Sequence, residues 1–134
     1  MTLDDLLAAA AARVPRYTPE EAQAAAEHGA VLVDIRSADS RARDGAIAGA
    51  HHVPRTVLEW RVASSDWRNP ALDGRRLILV CDDGCSSLLA AATLLDLAAD
   101  AGDLVGGFAA WRAAGLPITE ARPFAGLAGT GPPD

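Results

Sequence analysis

Two cysteines, Cys81 and Cys85, are the residues with the clearest chemical potential, and both lie in the segment C-D-D-G-C-S-S at residues 81–87. An apolar run over residues 77–80 precedes this segment and predicts a buried strand. An Ala/Leu-rich stretch over residues 88–99 follows it and predicts a helix. Because ligands of an open parallel sheet bind beyond the carboxyl ends of its strands, Cys81 is predicted to be the reactive residue.

The loop after Cys81 is expected to form a small anion-binding concavity. Gly84 lets the chain turn sharply into the helix, and backbone amides at a helix N-terminus favour negative charge. A thiolate held there has a pKa below the free value of about 8.5. The same amides can hold a persulfide anion or the oxyanion end of a sulfur donor. The loop residues expected to line the site are Asp82, Asp83, Gly84, Cys85, Ser86 and Ser87.

The elements that position this loop follow from hydrophobic periodicity and capping signals. Thr2 and Thr18 are predicted helix caps, and Glu21 completes a capping box with Thr18. Either Ser86 or Ser87 is expected to cap the helix after the loop. Helices are predicted over residues 2–12, 19–26, 38–43, 56–63, 88–99 and 108–114, strands over 31–35, 51–53, 77–80 and 104–105, and a loop over 45–50. Alternating strands and helices imply an α/β fold with a mostly parallel central sheet.

Chain length and composition narrow the possible domain organisation, binding partners and cellular location. A length of 134 residues fits one domain, so we expect a single domain over residues 1–134, with its core at about 16–118 and a flexible Gly/Pro-rich tail at 123–134. The net charge of −6, with Arg residues scattered along the chain, argues against nucleic acid, and a negative surface gives no attraction to an anionic membrane. Two cysteines are too few for a disulfide scaffold, and the N-terminus lacks a signal peptide's basic residues. We therefore expect a cytoplasmic protein, monomeric by default.

Three motifs together resemble those of the rhodanese-like domain family. The first is C-x-x-G-x-S-S at residues 81–87. The second is V-D-I-R at residues 33–36 followed by G-A-I-A-G-A at 45–50, and the third is G-G-F-A-A-W at 106–111. Along the chain the V-D-I-R motif comes first, the cysteine segment next and the G-G-F-A-A-W motif last, which is the family's order. Together they cover roughly residues 16–118. The resemblance implies a five-stranded, mostly parallel sheet flanked by helices on both faces.

The resemblance also implies an activity, namely transfer of sulfane sulfur. The Cys81 thiolate would take sulfur from a donor as a persulfide and pass it to a thiol or other nucleophilic acceptor, with no metal or organic cofactor. This sequence departs from the family pattern at Ala46, where the family has His, and at Ser86, where the family is often basic. Asp82 and Asp83 repel an anion such as thiosulfate. Weak thiosulfate activity is therefore predicted, with a protein persulfide or a low-molecular-weight thiol persulfide as the donor.

The roles of several other residues stay open at this level. Asp34 and Arg36 either form a structural pair or contact the substrate, and Arg41 and Arg55 either line the pocket mouth or lie in solvent. Cys85 is either a resolving thiol for Cys81 or a variable loop residue. Zinc at the adjacent His51 and His52 is disfavoured, because neighbouring strand residues point to opposite faces.

Two other functions compete with sulfur transfer. A non-catalytic rhodanese-like binding or regulatory module is one, although such domains usually lack the cysteine. Cysteine-dependent phosphatase or arsenate reductase chemistry is the other. Those enzymes place an Arg six positions after the cysteine to clamp the oxyanion, and Ser87 occupies that position here.

Overall fold

A computed structural model describes residues 1–121, so the predicted tail at 123–134 lies outside the described residues. The helices are α1 (Leu3–Arg13), α2 (Pro19–Glu27), α3 (Ala38–Asp44), α4 (Leu58–Ala63), α5 (Ser86–Asp96) and α6 (Gly107–Ala113). The strands are β1 (Arg16–Tyr17), β2 (Val31–Asp34), β3 (Ala46–Ile47), β4 (His51–His52), β5 (Leu77–Val80), β6 (Ala101–Leu104) and β7 (Ile118–Thr119). Short 3₁₀ turns at Arg55–Val57 and Pro70–Leu72 complete the described part.

Five strands form one parallel sheet in the order β1-β6-β5-β2-β4, which confirms the predicted fold class. The strand β5 is central, with β6 on one side and β2 on the other. It is buried along its whole length, as its unbroken apolar sequence predicts. Cys81 directly follows β5, so the cysteine lies at the middle of the sheet's carboxyl edge.

Helices cover both faces of the sheet, and each face has its own apolar core. Alternate strand residues supply the two cores, since successive side chains of a strand point to opposite faces. One core joins α1 and α5 to the sheet and includes Val33, Leu77, Leu79, Cys81, Leu88 and Leu94. The other joins α2 and α6 to the opposite face and includes Ala22, Leu32, Ile78, Val80, Phe108 and Trp111.

The predicted capping signals of the first two helices are confirmed. Thr2 and Thr18 each accept a hydrogen bond from the third amide of their helix, and Asp5 and Glu21 bond back to the cap amides. The prediction that Ser86 or Ser87 caps α5 is wrong. Cys85 occupies the cap position without a side-chain hydrogen bond, and both serines lie inside the first turn, because Ser87 turns inward to buried polar partners.

The strand predictions missed the short or polar strands. The strands β1 and β7 have two residues each, too few for a periodic pattern. The sequence predicts a loop over residues 45–50, but β3 lies within them and pairs antiparallel with β7. The strand β6 covers Ala101–Leu104 rather than residues 104–105. Gly102 and the buried Asp103 interrupt the apolar pattern there.

Candidate active site

The Cys81 sulfur lies at the end of β5, covered by the loop that follows. Cys81 is 4% exposed. The backbone amide of Gly84 donates to its Sγ at 3.0 Å and that of Ser87 at 3.4 Å. The Ser87 hydroxyl lies 3.3 Å from the same sulfur. The two backbone amides make a small, nearly closed cradle that suits a sulfur anion.

The environment favours the thiolate of Cys81. Burial raises the pKa of Cys81, whereas hydrogen bonds from the Ser87 and Ser86 side chains and from the Ser87 and Gly84 amides lower it. The lowering effects together are the larger, so the pKa lies below its ordinary value. This is the direction that a nucleophilic cysteine requires.

The two acidic residues of the loop point in different directions. The side chain of Asp82 is 57% exposed, and its carboxylate lies 3.9 Å from the Arg36 guanidinium. The Asp83 carboxylate folds back over the loop, where its Oδ1 accepts from the Cys85 amide at 3.2 Å and lies 3.9 Å from the Cys81 sulfur. Asp83 is therefore the carboxylate that an incoming anion meets beside the sulfur.

Cys85 and Ser86 lie at the exposed rim of the loop. The charge of Asp83 is the largest of the effects that raise the pKa of the Cys85 thiol. Cys85 thus has a weaker tendency to ionise than Cys81. The two cysteines of the loop therefore differ in both burial and acidity, although they are only four residues apart.

The third sequence motif holds the cysteine loop from the other side. The amides of Phe108 and Ala109, at the start of α6, donate to the carbonyls of Cys81 at 2.8 Å and Asp82 at 3.1 Å. This close approach requires glycine at 107, where φ is +62° and a Cβ would lie 2.5 Å from the Cys81 carbonyl. Gly84 faces the same turn, and a Cβ there would lie 2.7 Å from the Gly106 amide nitrogen.

The second motif forms a buried ion-pair cluster beside this loop. Arg36 makes a bidentate pair with Asp34, at 3.1 and 2.8 Å, and donates to the Gly45 carbonyl. Its guanidinium lies 4.0 Å from the Phe108 ring centroid. Arg41 also reaches Asp34, at 3.2 Å. The structural interpretation of Asp34 and Arg36 is thus the one that these contacts support.

The remaining candidates are also held by partners outside the loop. Arg55 pairs with Glu59 one helical turn later, and His52 contacts the Arg36 carbonyl. Within residues 1–121 there is no group of three or more His, Cys, Asp or Glu side chains that could hold a metal ion. No helix in that part of the chain is long and apolar enough to cross a membrane.

Sequence reasoning missed two charged residues that are linked to the cysteine loop through Ser87 and Gly84. Asp103 on β6 is fully buried and accepts a hydrogen bond from the Ser87 hydroxyl at 3.0 Å. Arg16 on β1 donates hydrogen bonds to both carboxylate oxygens of Asp103, at 2.9 and 3.0 Å, and to the Gly84 carbonyl at 3.1 Å. No periodic pattern marked either residue, because β1 has only two residues and Gly102 and Asp103 interrupt the apolar pattern of β6.

The fold and the loop define a class of protein: a small α/β protein with a cysteine cradled by amides at the end of its central parallel strand. The family model of the rhodanese-like domain matches residues 18–114. The chain belongs to the rhodanese-like domain family.

The named relatives agree with this assignment, and a solved structure shares the fold. The chain is 40% identical over 98 residues to a thiosulfate sulfurtransferase GlpE of Pseudomonas fluorescens, covering 72% of this chain and 84% of that one. It is 39% identical, with the same coverage, to the Stutzerimonas stutzeri protein of that name. A Rhodopseudomonas palustris protein of unknown function, described as a possible tyrosine phosphatase, superposes with a TM-score of 0.79 at 32% identity, over 88% of this chain and 94% of that one.

Proposed function

We propose that this protein is a sulfurtransferase that carries sulfane sulfur as a persulfide on Cys81. The single observation that carries the proposal is the pair of backbone amides, from Gly84 and Ser87, directed at the Cys81 sulfur. They stabilise negative charge at that position without a metal or a cofactor. The named relatives, which are sulfurtransferases by name, support the same class of activity.

The chemistry consists of two displacements at sulfur. The Cys81 thiolate attacks the outer sulfur of a donor persulfide, a sulfur–sulfur bond forms to Cys81, and the donor leaves as a thiolate. An acceptor thiolate then attacks the outer sulfur of the Cys81 persulfide, and Cys81 leaves as a thiolate. Each step exchanges one sulfur–sulfur bond for another, so no external oxidant or reductant is consumed.

The acidic rim favours a protein persulfide or a thiol persulfide over thiosulfate as donor. Thiosulfate is a dianion, and Asp83 is the carboxylate beside the sulfur. A basic surface on a partner protein would complement the exposed Asp82. We expect a thiosulfate kcat/KM below about 10⁴ M⁻¹s⁻¹, the lower end for typical enzymes. A higher value would remove the argument for a different donor.

Sulfur loading is the direct test. The protein is incubated with glutathione persulfide and its intact mass is measured. We expect an increase of one sulfur atom in the wild type and in Cys85→Ser, which keeps the amide cradle, and no increase in Cys81→Ser. Failure of the wild type to load with glutathione persulfide or thiosulfate would favour the non-catalytic binding module.

Phosphatase chemistry is the second candidate, because of the description given to the Rhodopseudomonas palustris protein. The position that would carry the anion-clamping Arg holds the buried Ser87, bonded to the Asp103 carboxylate. Without that guanidinium the charge of an attacked phosphate is poorly held. We expect no hydrolysis of p-nitrophenyl phosphate that depends on Cys81, and Cys81-dependent hydrolysis would reinstate this function.

A further inference from the structure

The Ser87 hydroxyl stands between two groups that compete for its single proton. Its Oγ lies 3.0 Å from the Asp103 carboxylate and 3.3 Å from the Cys81 sulfur. Ser87 and Asp103 are fully buried. An ionised carboxylate only accepts hydrogen bonds, whereas a hydroxyl donates one and can accept others. While Ser87 donates to Asp103, its oxygen can only accept a hydrogen bond from the Cys81 thiol.

We propose that Asp103 is a positioning residue of the Cys81 site, which acts by holding the Ser87 hydroxyl proton away from the sulfur. With Cys81 as a thiol, the donors run in one direction, from the sulfur to Ser87 and from Ser87 to Asp103. With Cys81 as a thiolate, the hydroxyl must rotate to donate to the sulfur, and Asp103 loses that bond. Ionisation of Cys81, and its departure as a thiolate, are thereby coupled to a buried carboxylate.

Arg16 moderates this competition from the edge of the sheet. Its guanidinium bonds both oxygens of Asp103, with 31% of its side chain exposed. By neutralising Asp103 it weakens the pull of the carboxylate on the Ser87 proton. The same guanidinium bonds the Gly84 carbonyl. Arg16 therefore joins the carboxylate and the cysteine loop in one network.

Other charged and titratable groups within residues 1–121 also surround the sulfur. Asp83 lies 3.9 Å from it, Cys85 belongs to the same loop, and Arg16 on β1 bonds the Gly84 carbonyl of that loop. Asp83 and Cys85 lie on the exposed side of the loop, so they are accessible to solvent and screened by salt. Asp103 is shielded from water, and its effect on Cys81 should therefore persist at high ionic strength.

The test is a double-mutant cycle on the pH profile of Cys81 alkylation by iodoacetamide. All variants carry Cys85→Ser, so that only Cys81 reacts. Asp103→Asn should move the midpoint of the profile to lower pH by about half to one pH unit, within the spread of pKa values measured in folded proteins. In a Ser87→Ala background the same substitution should move the midpoint by less than half as much.

Two comparisons decide between this mechanism and simpler ones. Equal shifts with and without the Ser87 hydroxyl would mean that Asp103 acts only through its charge, and no shift or an upward shift would also overturn the proposal. The control Asp100→Asn removes an Arg-paired carboxylate just before β6 and should leave the midpoint unchanged. If Asp103→Asn fails to fold, the cycle is repeated with Arg16→Gln, which should move the midpoint upward, and less so without the Ser87 hydroxyl.

The coupling between Asp103 and Cys81 rests on the proposed function only where it is applied to sulfur transfer. Alkylation reports the ionisation of Cys81 without any sulfur donor, so the two can fail separately. A protein that shows the predicted cycle but takes up no sulfur would keep the Asp103 coupling and lose the sulfurtransferase proposal. A protein that loads sulfur but shows no coupling would give the reverse result.

Discussion

The amide of Phe108 donates to the carbonyl oxygen of Cys81 at 2.8 Å, so the start of α6 is bonded to the cysteine itself. These residues are 27 positions apart in the chain and belong to different motifs. The bond explains why the G-G-F segment accompanies the cysteine loop. The first glycines of α6 allow its amides to approach the loop closely, and the amides hold the backbone that aims the sulfur.

Substitution of Gly107 should disturb this contact. In Gly107→Ala the new Cβ would lie 2.5 Å from the Cys81 carbonyl, at a φ of +62°. We expect a loss of unfolding free energy of about 2–4 kcal/mol, from backbone strain together with overpacking, and slower sulfur loading. Urea denaturation and intact-mass measurement check these outcomes.

Gly115 provides the matched control for Gly107→Ala. It also has a positive φ, of +74°, but a Cβ there meets nothing within 4 Å. Gly115→Ala should cost only the conformational penalty, about 1 kcal/mol, and should leave loading intact. Equal costs at the two positions would contradict the role given to the close approach.

Neutralising Asp83 should improve the use of thiosulfate. The Asp83 carboxylate lies 3.9 Å from the Cys81 sulfur, so it repels an anionic donor at the point of attack. We expect Asp83→Asn to raise thiosulfate kcat/KM by roughly three- to tenfold at low salt, with the gain shrinking as salt is added. Steady-state kinetics at two ionic strengths measure both effects.

Asp82→Asn is the comparison for that experiment, since it removes the same charge from the neighbouring residue. The Asp82 side chain is directed to solvent, so its substitution should change thiosulfate kcat/KM less than Asp83→Asn does. If the two variants behave alike, the rim acts through its total charge rather than through the position of Asp83.

The two cysteines should titrate in a fixed order. The pKa of Cys81 lies below its ordinary value and that of Cys85 above it. In single-cysteine variants, the alkylation rate should therefore rise with pH at a lower midpoint for Cys81 than for Cys85. A reversed order would show that burial of Cys81 outweighs its hydrogen bonds.

The lowered pKa of Cys81 also makes the unfolding free energy depend on pH. A folded-state pKa below the unfolded value of about 8.5 adds stability above that pH. That contribution is lost as the pH falls through the folded-state pKa. The difference in unfolding free energy between the wild type and Cys81→Ser should therefore shift in favour of the wild type between pH 7 and pH values above about 8.5. A difference that does not change with pH would contradict the lowered pKa.

Formation of a Cys81–Cys85 bridge should be limited by the weak acidity of Cys85. Asp83 raises the pKa of the Cys85 thiol, and the thiolate is the attacking form in disulfide exchange. After loading with persulfide, the bridged protein should be scarce at neutral pH and should increase at alkaline pH. Mass spectrometry of peptides from the loaded protein measures it. A bridge that forms fully at neutral pH would support the resolving role of Cys85.

Removal of the Asp34 carboxylate should take away much of the protein's stability. Its side chain is buried and accepts bonds from Arg36 and Arg41. Asp34→Ala leaves the buried Arg36 guanidinium without its buried carboxylate partner, which costs about 3–5 kcal/mol. Asp96→Ala removes half of an exposed ion pair with Arg13 and should change thermal stability little. Similar losses in the two variants would contradict a structural role for Asp34.

The sequence by itself determined the scaffold and the position of Cys81 at the end of a core strand. An unbroken apolar run is typical of a strand buried on both faces in a sheet covered by helices, which identified β5 as a core strand with Cys81 at its end. The capping residues Thr2 and Thr18 fixed two helix starts, because capping depends on neighbours within one turn. These signals are local in the sequence, so each could be interpreted without the tertiary structure.

Only the tertiary structure decided which groups surround the sulfur. Asp103 and Arg16 come from strands that are 87 residues apart, and β1 is too short to show a pattern. The opposite directions of Asp82 and Asp83 follow from loop hydrogen bonds that no spacing rule specifies. Contacts between distant segments depend on sheet order and register, and no single segment of the sequence specifies either of these.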